Sequence, residues 1–101
     1  MTEIRTQEVN DLLSVLAGMS DPDDVYLLLE DLLTIREIKD ASQRLTVARL
    51  LDQGKSYSAI EGETGASATT IARVSKALNY GSGGYGTALS VLKGASAASP
   101  E

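Results

Sequence analysis

The chain contains no cysteine and no histidine. Without cysteine it can form no disulfide and offers no thiolate to a metal, which suits a reducing compartment. Without histidine it lacks the commonest general base near neutral pH and the commonest metal ligand. No apolar run approaches the roughly 20 residues a helix needs to cross a bilayer. The opening residues, MTEIRTQEVN, are polar and show no signal-peptide pattern. These absences point to a cytoplasmic protein without metal or cofactor. They also point away from an enzyme, since no nucleophile–base pair or metal constellation can be assembled.

Basic residues are scarce too, nine against fourteen acids, for a net charge of −5. That balance argues against a nucleic-acid partner, but the charge is unevenly spread. Residues 1–33 carry −7, residues 34–54 carry +1, residues 55–80 carry +1, and the remainder is neutral. The acid is gathered in the first third. With few bases to displace counterions, any affinity for phosphate should still be low.

What the chain does contain is helical periodicity over most of its 101 residues, enough for one domain with a modest core. Residues 5–19 read as a first helix, with Val9, Leu12, Leu13, Leu16 and Met19 at helical spacing. A second helix runs from Pro22 to Leu33. Asp21 is its cap, Pro22 its first position, and the following acids oppose the positive end of its dipole. The cluster Asp21, Asp23, Asp24 reads as capping rather than as a metal site, because no EF-hand spacing surrounds it. Val25, Leu28, Leu29 and Leu32 form one face of this helix, while Tyr26, Leu27 and Leu33 leave apolar surface on others. Such a helix calls for burial on more than one side, and a second copy of the chain is the expected cover. Thr34 and Glu37 have capping-box spacing. They open a third helix to about Gln53, ending at Gly54, with Ile35, Ile38, Ala41, Leu45, Ala48 and Leu51 expected inward.

The stretch SYSAIEGETGASATTIARVSKALNYG, residues 56–81, organises the rest. Ser56 and Ser67 are N-caps for two short helices, and Gly65 sits where the first must stop. In the second, Ile71, Val74 and Leu78 make one apolar stripe, and Thr69, Arg73 and Lys76 point the opposite way. Two helices joined by a short glycine-containing turn, with a polar outer face on the second, match the helix-turn-helix plan for reading a DNA major groove. The plain alternative is a helical hairpin whose polar face meets water. Beyond it, GSGGYG (residues 81–86) lacks the strand and glycine spacing of a phosphate loop and reads as a flexible joint. Thr87 to Lys93 read as a short helix, and residues 94–101 as a disordered tail.

From Leu27 to Gly81 the sequence resembles the Trp repressor superfamily, and within it the small YerC/YecD-type Trp-repressor-like proteins. The match rests on Thr34, Gln43-Arg44, Gly54, Ser56-Tyr57-Ser58-Ala59-Ile60, Glu63-Thr64-Gly65-Ala66-Ser67, Thr70-Ile71, Arg73-Val74 and Leu78-Asn79-Tyr80-Gly81, without gaps. The resemblance implies an all-α fold of five to six helices per chain, intertwined as a homodimer. It gives a domain over residues 1–80 with the helix-turn-helix at 56–80. It also implies a repressor of transcription that binds double-stranded DNA. Ser67, Ala68, Thr69 and Thr70 would meet base edges, with Ser56 and Ser58 near the backbone. On the outer face of the second helix, Arg73 and Lys76 are expected on phosphates, or Arg73 at a base.

Two departures from the family pattern stand out. Arg44 and Arg73 match the arginines that clamp tryptophan in the tryptophan-dependent repressors. The glycine that follows the second arginine, and leaves room for the indole, is Val74 here. A branched side chain should fill that slot, so tryptophan is not the expected corepressor. Arg73 itself is ambiguous, outward by periodicity and over the ligand pocket by resemblance. Basic residues of the motif's first helix are replaced by Ser58 and Glu61, which weakens the case for phosphate contacts there. A different class of function therefore stays open: an acidic helical interaction module with a degenerate helix-turn-helix, favoured by the low base count.

Overall fold

The computed structural model describes residues 5–98, and among them finds six helices and no strand. In chain order these are α1 (Gln7–Gly18), α2 (Pro22–Leu32), α3 (Ile35–Asp52), α4 (Tyr57–Thr64), α5 (Ala68–Tyr80) and α6 (Gly84–Ala98). Each start has a local chemical reason. Thr6 caps α1 by accepting from the Val9 N–H, and Asp21 caps α2 by accepting from Asp23 at 2.9 Å. Thr34 and Glu37 bond reciprocally, side chain to backbone, at 3.1 and 2.8 Å, completing the capping box of α3. Ser56 and Ser67 each accept from the N–H three residues on, both at 3.1 Å. These bonds satisfy donors that a helix cannot pair internally.

The chain forms two units, residues 1–38 and 39–101, with the boundary inside α3. The first unit buries none of its described side chains. Leu12, Leu13, Val15, Tyr26, Leu27, Leu32 and Ile35 are all exposed, Ile35 by 72%. In the second unit, Val47, Ala48, Ile60, Ala66, Ile71, Val74 and Leu89 make the core, and Leu45, Leu50, Leu51, Leu78, Tyr85 and Leu92 pack around it.

Several expectations need revision. Of the α3 residues expected inward, Ala48 is buried and Ile38, Leu45 and Leu51 are half-buried, whereas Ile35 and Ala41 are exposed. Val47, which the stripe omitted, is fully buried. The core draws on α4, α5 and α6 together, so α3 buries a wider arc than a single stripe there. The joint after α5 is confined to residues 81–83, because Gly84 and Gly86 already belong to α6. That helix begins three residues before Thr87 and runs five past Lys93. It is also part of the core, through Leu89. Residues 99–101 of the expected tail lie outside the described residues.

Candidate nucleic-acid interface

The turn between α4 and α5 is built to hold one shape. Gly65 adopts φ +76°, the left-handed conformation, and its N–H bonds the Glu61 carbonyl at 2.9 Å. Thr64 donates its hydroxyl to the Ile60 carbonyl at 2.7 Å and accepts from the Ala66 N–H at 3.1 Å. Ala66 is buried, so the turn is anchored on an apolar contact as well. Gln43, on α3, donates its side-chain amide to the Thr64 carbonyl at 3.1 Å. One long-range bond thus ties the turn to the longest helix. The sequence marks Gln43 only as part of a matching pair. Its partner lies 21 residues away, beyond any local pattern.

At the start of α5 the four residues expected to meet bases are not equivalent. The Ser67 hydroxyl accepts from the Thr70 N–H and donates to Thr70 Oγ1, each at 3.1 Å. Thr70 is half-buried, while Ala68 and Thr69 are exposed. Arg73 and Lys76 are exposed further along α5, on a helix whose opposite face buries Ile71 and Val74. On α4, Ser56 and Ser58 are exposed, Ser56 being engaged as the cap. Glu61 is exposed, and Glu63 pairs with Lys55 at 3.7 Å across half-exposed side chains.

Arg44 and Arg73 come together. With Thr70, Val74, Ala77 and Tyr85 they line an open pocket of about 330 Å³ between α3, α5 and α6. Arg73 is exposed and also lines this pocket. Val74, only 2% exposed, belongs to the core and presents its remaining surface to the same pocket. Tyr85, which the sequence leaves inside a supposed joint, walls this pocket and a second one of about 410 Å³. Among the described residues no three acids gather into a metal-holding group, and no helix is long and apolar enough to cross a membrane.

Comparison with known proteins agrees with this architecture. The Trp repressor protein family model matches residues 7–93. A relative in Bacillus subtilis (strain 168), the uncharacterized protein YerC, is 43% identical over 91 residues, spanning 90% of this chain and 88% of the relative. A crystal structure from Staphylococcus aureus, provisionally described as a Trp repressor, superposes with a TM-score of 0.84 at 34% identity, covering 89% of this chain and 90% of that one. A TrpR-like protein from Eubacterium eligens ATCC 27750 gives the same TM-score at 40% identity, covering 89% and 93%.

Proposed function

The chain belongs to the Trp repressor family, and from that premise we propose that it is a sequence-specific DNA-binding regulator, a homodimeric repressor acting in the cytoplasm on a near-palindromic operator. The observation that carries this reading is the first turn of α5. There Ala68 and Thr69 are exposed, while the cap beneath them is satisfied within the turn. A threonine hydroxyl can bond a base edge, and methyl groups of either residue can meet a thymine methyl. Ser67 and Thr70 hold the turn rather than read from it, because their hydroxyls already bond each other. Arg73 and Lys76 set the helix on phosphates, with Ser56 beside the backbone at the start of α4. Two α5 helices related by a dyad would address half-sites about 34 Å apart.

The exposed apolar side chains of α1 and α2 support the dimer, since soluble monomers seldom leave such surface uncovered. Tryptophan is not the corepressor in this reading, because Val74 occupies the room an indole would need. The pocket of Arg44 and Arg73 suits a small anion instead.

Selection of bound fragments from random DNA tests the proposal, and a near-palindrome with one-turn half-site spacing is the expected yield. Recovery of no shared sequence would leave it without support. In titrations against the selected duplex, Arg73→Ala should weaken binding and lower the slope of log K against log salt by about 1. A second reading, a protein–protein interaction module, is favoured by exposed Glu61 and by the Lys55–Glu63 pair, which together blunt the attraction of α4 for phosphate. A flat salt dependence on both random and genomic duplexes would select that reading.

A further inference from the structure

The turn between α4 and α5 is anchored both from inside and from outside. Inside it, Gly65 takes φ +76°, the Thr64 hydroxyl bonds the Ile60 carbonyl and the Ala66 N–H, and Ala66 is buried. From outside, on α3, the Gln43 side-chain amide donates to the Thr64 carbonyl at 3.1 Å. Thr64 is the last residue of α4, so its carbonyl is among those a helix leaves without an internal partner. Both residues are half-buried, which limits the access of water as a substitute. Four residues along α3, on the same face as Gln43, Val47 is fully buried in one core with Ile60 and Ile71. The contact between residues 39–52 and the two short helices therefore has two parts of different kind. Apolar packing holds the surfaces together but is non-directional, so it tolerates a small rotation. A hydrogen bond weakens steeply as it bends, so it fixes an angle.

We propose that Gln43 is a positioning residue, whose bond to the Thr64 carbonyl sets the angle of α4 and α5 against α3. It acts through the turn, on the direction in which Ala68 and Thr69 face, and makes no contact with a base itself. Glutamine suits the task, because its amide offers two donor hydrogens without a charge that would draw it to a phosphate. The geometric role stands on the bond alone. Its consequence for recognition rests on the DNA-binding reading. A helix held at one angle discriminates between sequences, whereas one free to tilt still meets phosphates but distinguishes bases less well.

Gln43→Met and Gln43→Glu keep the length of the side chain and remove its donor, since an ionised carboxylate only accepts. Residual dipolar couplings of the full chain, measured without DNA, read the angle directly. In the wild-type chain the backbone amides of residues 39–52 and those of α4 and α5 should fit one alignment frame. In both variants α4 and α5 should keep their mutual fit but rotate, or lose amplitude, against residues 39–52. A single unchanged frame in both variants would overturn the proposal. The second measurement compares the selected duplex with a random one, well below the melting transition, where a residue that merely stabilises the fold moves neither affinity. Affinity for the selected duplex should fall about tenfold, as it would for one mismatched base pair, while that for the random duplex stays unchanged. Equal losses on both duplexes, or a shifted frame with no loss on either, would deny Gln43 this part in recognition. A shifted frame in the variants of a chain whose wild type prefers no duplex would leave the positioning in place and remove the DNA-binding reading.

Discussion

At the scale of the residue, two hydroxyls two positions apart do different things. Ser67 is committed to the Thr70 N–H and Oγ1, and its substitution removes a helix cap. Ser67→Ala should therefore lower stability by about 1 kcal/mol in chemical denaturation. Thr69 makes no such bond to the turn and is exposed. Thr69→Ala should leave the denaturation midpoint unchanged while relaxing discrimination at one base position by about 1–3 kcal/mol. Equal stability losses in the two variants would refute the division of labour. Sequence periodicity groups these residues as one reading surface, because it records direction and not partners. The same limit hides Gln43, whose bond to the Thr64 carbonyl crosses from α3 to the turn.

At the scale of the element, the helix starts were legible because a cap is a local event. Asp21, Thr34, Ser56 and Ser67 act within three residues of themselves, which sequence spacing can show. Gly65 is equally readable, since only a residue tolerant of positive φ ends α4 in this way. Gly65→Ala should lower stability by about 1–2 kcal/mol from backbone strain alone, as its Cβ would meet no neighbour within 4 Å. Gly65→Asn should lose less, because asparagine enters the left-handed region more readily. A thermal melt that ranks the two variants the other way would count against this account. Of helix α6 only the middle, Thr87 to Lys93, was legible, and its two ends escaped for the opposite reason. Its glycines argue for a loop, and only the packing of Leu89, Tyr85 and Leu92 outweighs them. Val47 escaped likewise, because a helix covered by several others buries more than one stripe.

At the scale of the whole molecule, the described core lies entirely within residues 39–101, while residues 5–38 bury no side chain and leave Leu12, Leu13, Leu27, Leu32 and Leu33 exposed. The surplus apolar surface of α2 could be read from its composition, which is what makes a second copy of the chain its expected cover. Leu27 is 58% exposed, so Leu27→Glu should change the stability of a lone chain by no more than about 0.5 kcal/mol. In sedimentation at tens of micromolar the wild-type chain should run as the proposed dimer, and the same variant should shift towards monomer. A variant that stays dimeric would place the contact between copies away from that face of α2.

The Lys55–Glu63 pair bears on how such an assembly would meet a polyanion. A lysine that meets a phosphodiester ordinarily displaces a cation condensed on the duplex, and the gain is the freedom that cation recovers in bulk. Here the ammonium has a resident carboxylate for company. An incoming phosphodiester must displace that resident, and the carboxylate it frees attracts a cation in place of the one the duplex gives up. Docking at this corner would be a substitution of one anion for another, to which dilution of the buffer is almost indifferent.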